Sequence, residues 1–186
     1  MAEKTPNIHK TILILILVFV PPYWLIFTDE GARISDRALL WLVGEDEIKL
    51  NLRVLSPAYS RADIEKVFGD IDWKCGAKNS PFGDTLCVAK VGAFNGYPAR
   101  ALTLYFLADK LSAMQLVYRG PYHEQLLGHL IDQLGQPTNV AAAVSEGPDA
   151  ADVLEWGLEH GKIVLKKKLQ QGDEPSLLWV AGAPAA

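Results

Sequence analysis

Between Lys10 and Asp29 the chain reads TILILILVFVPPYWLIFT, 18 residues without a charge. No other stretch limits the fold and setting of the protein so sharply. As a helix it would extend about 27 Å at ~1.5 Å per residue, close to the ~30 Å hydrocarbon core of a bilayer. Twelve of the 18 are Ile, Leu, Val or Phe. At roughly −0.3 to −0.6 kcal/mol each, they favour insertion by about 4 to 7 kcal/mol before corrections. Pro21 and Pro22 remove backbone donors and predict a kink, which helices in lipid tolerate better than helices in water. Tyr23 and Trp24 follow, where aromatic rings can approach the headgroups.

A cleaved secretion signal is the rival reading, with Ile12 to Val20 as its apolar core. Cleavage wants small residues in an A-x-A-like arrangement. FTDEGARIS offers Ala32 two places after Glu30, and Gly31 two places after Asp29. Neither fits, and no cysteine near the run could carry a lipid, so an uncleaved anchor is preferred. Lys4 and Lys10 before the run balance Arg33 and Arg37 after it. The free amino terminus and Lys10 closely flank one end, and Asp29 and Glu30 the other. The positive-inside tendency then leaves the N-terminus cytoplasmic and exports the rest. The expected setting is a single pass through a bacterial-type inner membrane, with the C-terminal domain periplasmic.

Of the 186 residues, 49% are apolar, enough for a core and too many for a disordered chain. Net charge is −4; residues 1–28 contribute +1, leaving −5 on the remainder. A domain that acidic lacks the basic footprint of a nucleic-acid binder, so no nucleic-acid partner is expected. The length suits one ordinary domain or two small fused modules. We divide the chain into a cytoplasmic tail and anchor (1–28), a juxtamembrane helix and linker (29–46), an exported domain (47–182) and a frayed tail (183–186).

Cys75 and Cys87 stand on either side of a turn-rich stretch containing Gly76, Asn79, Pro81 and Gly83. A hairpin or long loop there would return its arms side by side, so a disulfide is geometrically open to them. The alternatives are two buried thiols or half of a metal site. A zinc site needs about four ligands, and the chain has 2 cysteines. The disulfide is preferred, and it agrees with export.

After the anchor, Ser35 can cap a short helix over Asp36 to Val43 that Gly44 closes. Its Leu40 and Trp41 would pack on the domain or lie along the membrane surface. EIKLNLRVLS alternates Ile48, Leu50, Leu52 and Val54 with polar residues, as a half-buried strand does. YSRADIEKVFG begins a helix with Ser60 as cap, Asp63 answering it, and Tyr59 and Ile64 as a staple. Strands follow near Ile71–Cys75 and Thr85–Phe94. Asn95-Gly96 is a hairpin signal leading into ARALTLYF and, past Ala108–Lys110, LSAMQLVY. YHEQLLGHLIDQLGQP is an amphipathic helix stopped by Gly135 and Pro137. NVAAAVSEGPDAAD is a loop, and VLEWGLEHGKIVLKKKLQQ and SLLWVA supply the last strands. The order repeats faintly: IEKVFGDIDW resumes as LIDQLGQPTN with VLEW, and MQLVY is echoed by SLLWV. The expected fold is therefore α+β: one transmembrane helix, then an antiparallel sheet covered by two main helices, in two α-β-β-β units. SRADIEKVFGDID resembles the opening helix and turn of small bacterial envelope modules of the BamE/SmpA type. The resemblance covers about a dozen residues. The lipobox cysteine of that family is missing, and no functional residue is carried over.

Catalytic patterns are not found. There is no G-x-S-x-G elbow, phosphate loop or dinucleotide fingerprint. HEQLLGH superficially suggests a metal helix, but His123 and His129 lie six apart, about 600° around a helix, and face different ways. With His160 isolated, all three read as surface histidines. Asp70 and Asp72 read as solvated turn residues, as does the Glu45-Asp46-Glu47 run. Lys166, Lys167 and Lys168 read as edge-strand lysines that discourage aggregation. No cofactor and no metal is expected, and enzymatic activity, such as an unidentified hydrolase, is the weakest reading. The expected function is a membrane-anchored accessory, scaffold or assembly subunit that contacts the lipid bilayer and an integral membrane protein through Pro21, Pro22, Tyr23, Trp24, Leu40 and Trp41. The alternative is a tethered module that binds a small ligand, lipid or peptide in a groove between helix and sheet.

Overall fold

The computed structural model describes residues 8–28, 46–69, 71–140 and 153–182. The chain separates into two compact units, Met1–Val43 and Gly44–Ala186. The expected juxtamembrane helix, with Leu40 and Trp41, lies outside the described residues.

The first unit contains helix α1, Ile8–Phe27. It continues through Pro21 and Pro22 rather than ending at them, and Thr28 closes it by donating its hydroxyl to Trp24 O at 2.8 Å. Ile12 to Val20 are each between 48% and 71% exposed. Among the described residues, no helix is long and apolar enough to cross a membrane. The span expected from the sequence is therefore not supported by the described helix.

The second unit is an α+β domain built on a ten-stranded mixed sheet. Its strands are β1 (Glu47–Ile48), β2 (Lys74–Ser80), β3 (Gly83–Lys90), β4 (Ala93–Phe94), β5 (Tyr97–Leu107), β6 (Lys110–Tyr118), β7 (Thr138–Val140), β8 (Val153–Leu158), β9 (Gly161–Lys166) and β10 (Ser176–Ala181). Helix α2 covers Ile64–Phe68 and helix α3 His123–Leu134. The main ladder runs β2-β3-β5-β6-β10-β9-β8-β7 and is antiparallel throughout. The first residues of β5 also hold β4, which pairs β1 in parallel.

The faint repeat becomes a topology here. Helix α2 with β2, β3, β5 and β6 forms one half, and α3 with β7, β8, β9 and β10 the other; each half has four main strands where the sequence suggested three. The halves join through their last strands, so the echoed segments MQLVY and SLLWV lie antiparallel, with Met114 opposite Trp179 and Leu116 opposite Leu177. Each helix ends at a glycine with positive φ, Gly69 at 88° and Gly135 at 91°, which side chains on those residues would oppose.

Three local expectations are corrected. The EIKLNLRVLS segment is a strand only at Glu47–Ile48 and then a 3-10 turn at Leu52–Val54. The side chain of Asn95 satisfies this segment instead of a neighbouring strand: it accepts from Leu50 N and donates to Leu50 O, both at 2.8 Å. The helix after Ser60 is short and opens with a 3-10 turn at Arg61–Asp63; Asp63 reaches back to Ser60 N at 3.1 Å and Ser60 Oγ at 2.7 Å. These bonds hold the Asp63 carboxyl below its ordinary pKa. Finally, the lysine-rich strand β9 is no edge strand, because β10 and β8 flank it. Lys166 pairs with Asp173 at 2.7 Å, and Lys167 and Lys168 lie past the strand end.

Cys75 and Cys87 form the expected disulfide, and there is no free cysteine.

Candidate functional site

Strand alternation sends every second side chain to the opposite face of a sheet, and the two faces of this sheet have different fates. One carries the rows Cys87–Leu104–Met114–Trp179–Ile163–Trp156 and Ala89–Leu102–Leu116–Leu177–Leu165–Leu154. All are buried, and they form one continuous core with Ile64 and Phe68 of α2, Leu126 and Leu130 of α3, and Ile48, Leu50 and Leu52 of the opening segment. Both domain helices thus lie on the same side.

The other face is left open by the described residues of this unit. Its central row runs Lys74–Val88–Thr103–Gln115–Leu178–Val164–Glu155, one residue from each of seven neighbouring strands. At about 4.8 Å per strand it spans roughly 29 Å. The next row runs Gly76–Leu86–Tyr105–Ala113–Val180–Lys162–Gly157. Leu86, Val88, Thr103, Tyr105, Gln115, Val164, Leu178 and Val180 are half-buried by one another, and among the described residues no helix joins them. Tyr105 is held upright: its hydroxyl donates to Gln115 Oε1 at 3.1 Å, and its ring lies 5.2 Å from that of Phe82. Burial raises the pKa of this phenol, so it remains a neutral donor in the pH range where proteins fold. The centre of the face is uncharged and mixes apolar Leu86, Val88, Val164 and Leu178 with polar Thr103, Tyr105 and Gln115; its charges stand at the sides. Lys162 there binds Glu155 at 2.9 Å, while Lys74, Lys78 and Lys90 have no ion-pair partner among the described residues.

Two open clefts flank this architecture. One of about 380 Å³ lies between α3 and the opening segment, with Lys49, Asn51, Asn95, His129 and Gln133 at its walls. Its polar groups are largely committed to the chain: Asn95 to Leu50, Asn51 Oδ1 to Arg53 N, and Gln133 O to the Arg53 guanidinium. The second, of about 460 Å³, opens at the strand ends near Pro57, Leu107, Lys110, Ser112 and Gly182.

The residues weighed for chemistry do not come together. His123 is no surface histidine: it is 5% exposed, with Nδ1 2.7 Å from Tyr118 Oη and Nε2 3.2 Å from Lys167 O. The apolar stripe of α3 was visible in the sequence, but not that its first residue turns inward. His129 lies against Tyr97 with ring centroids 5.2 Å apart and planes tilted by 50°, and His160 sits in the β8–β9 turn beside Glu159. Asp72 is exposed, and Asp70 lies outside the described residues. Among the described residues, no group of three or more His, Cys, Asp or Glu could hold a metal ion. Pro21, Pro22, Tyr23 and Trp24 are exposed on α1. The open face was not singled out from the sequence; its signal was the second, milder apolar stripe of ARALTLYF and LSAMQLVY.

No family model, no curated protein and no solved structure matches this chain.

Proposed function

We propose that this protein is a membrane-anchored accessory or assembly subunit whose exported domain binds another protein through the open face of its sheet. The observation that carries the reading is the uncharged centre of that face, where Leu86, Val88, Leu178 and Val164 surround Thr103, Tyr105 and Gln115, with charge at its margins. A charge-depleted, partly apolar patch with an aromatic near its middle and charges at its rim is the ordinary form of a protein–protein contact. Tyr105 and Leu178 stand where anchoring residues are most effective, near the middle.

Two further observations support the setting. The Cys75–Cys87 bridge points to an oxidising, exported environment. The described part of α1 is exposed and apolar from Ile12 to Val20 without an interrupting polar residue, as a helix among lipid tails requires and a water-facing helix does not. In this reading α1 is the anchor, with Pro21, Pro22, Tyr23 and Trp24 at the contact with lipid or an integral membrane partner.

Affinity purification of tagged protein from gently solubilised membranes tests the reading. Leu178→Glu places a carboxylate in the central row, and Thr103→Arg covers the same surface from a position already polar. Both variants are expected to melt within a few degrees of wild type and to lose at least tenfold of the co-purified partner. Unchanged recovery with both variants would remove the open face from the function.

A further inference from the structure

Strand β2 is a puzzle of stability. Its sequence, KCGAKNS, is poor in residues that favour strands, and Lys74 to Asn79 are all exposed. It buries nothing that would hold it in place, yet the molecule staples it to the sheet with its one disulfide, through a Cys87 that is fully buried. Among the described residues it pairs with β3 alone.

The geometry of the staple shows what the outer edge offers. Cys75 lies directly opposite Cys87 with Cα atoms 4.0 Å apart, the close spacing of a non-hydrogen-bonded antiparallel pair. In such a pair the N–H and C=O of each residue point away from the partner strand. Ala77, two residues on and opposite Thr85, has the same orientation. Cys75 and Ala77 therefore present two donors and two acceptors, about 7 Å apart along the strand, to any chain laid beside them. Lys74 and Lys78 flank them without an ion-pair partner among the described residues. Two lysine-bearing edges repel each other, which disfavours self-pairing; the same charges attract an acidic strand.

We propose that β2 is a preformed edge to which an extended acidic segment of a partner protein adds as a further strand, with the disulfide keeping Lys74–Ala77 in register ahead of the irregularity between Ala77 and Ser80. This deepens the interaction reading by adding a backbone-mediated contact distinct from the open face.

The test uses full-length protein in detergent and a fluorescein-labelled ten-residue peptide alternating glutamate with valine, read by fluorescence polarisation. Saturable binding is expected, together with slowed amide exchange at Cys75 and Ala77. Ala77→Pro removes one outward donor while leaving the bonds of Gly76 to β3, and proline is tolerated at such an edge position. It should weaken binding at least tenfold. Lys74→Glu/Lys78→Glu should weaken the acidic peptide to a similar degree and admit its lysine–valine counterpart, a result that does not depend on the proline variant folding. Reduction of the disulfide should weaken binding as well. Leu178→Glu should leave peptide binding unchanged, so that failure of the edge and failure of the open face read out separately. No saturable binding, or equal binding by wild type and both edge variants, would overturn the proposal.

Discussion

Tyr118 and His123 meet in the core at 2.7 Å, and in the neutral imidazole the direction of their bond follows from the second ring nitrogen. Lys167 O, 3.2 Å from His123 Nε2, can only accept. Nε2 therefore carries the imidazole proton, and Nδ1 accepts from the Tyr118 hydroxyl. Burial, with a smaller contribution from the Glu124 carboxylate, raises the pKa of this phenol far above its ordinary value. The folded state then holds the proton more tightly than the unfolded chain, which releases it near pH ~10. The resulting stability is fully present below that pH and declines as pH rises above it. Tyr118→Phe leaves Nδ1 without a donor and is expected to cost about 1–3 kcal/mol at neutral pH. Above pH ~10 the wild type should lose stability that the variant has no phenol to lose, so the gap between them narrows. Urea denaturation of both proteins between pH 7 and 11 measures this; a constant gap would mean that the phenol does not titrate with folding.

Local chemistry made many elements legible in the sequence. Asn95-Gly96 closes its hairpin with φ of 48° and 83°, and Ala108-Asp109 turns between β5 and β6 with φ of 50° and 64°. The α3 stripe, the Gly135 stop and the cysteine pair could likewise be read from neighbours in the chain. What stayed hidden depends on distant partners. The segment after Ile48 has the alternation of a strand, yet its backbone is satisfied by Asn95, 45 residues away from Leu50. Nothing near Lys166 shows that β10 returns to pair with β6 and so moves β9 inside the sheet. Nor does the apolar second stripe of β5 and β6 say which face the helices will cover. Asn95 allows this account of the opening segment to be tested. Asn95→Gly keeps the positive φ of the turn and deletes both bonds to the backbone of the buried Leu50. The expected cost is about 1–3 kcal/mol, with faster amide exchange at Leu50 and little change in β5 and β6. Unaltered exchange at Leu50 would show that packing of Ile48 and Leu52, rather than the asparagine, holds the segment.

In the proposed reading an anchor and a binding domain would meet one membrane partner twice, and the two contacts would reinforce each other through effective concentration. The sequence of α1 argues that its contact is more than attachment. Pro21 and Pro22 lack the N–H groups that would otherwise bond back to Leu17 O and Val18 O, so the i→i−4 ladder misses two donors there. In lipid, where apolar surface alone does not discriminate, packing shape and polar groups decide which helices associate. Replacing residues 11–28 with an unrelated single-span anchor separates tethering from recognition. The exchanged protein is expected to stay in the membrane fraction with its disulfide formed and its domain folded, while recovery of the partner falls at least tenfold. Combining the exchange with Leu178→Glu should reduce recovery to background, since both contacts are then gone. Undiminished recovery after the exchange alone would reduce α1 to a tether and leave recognition to the sheet.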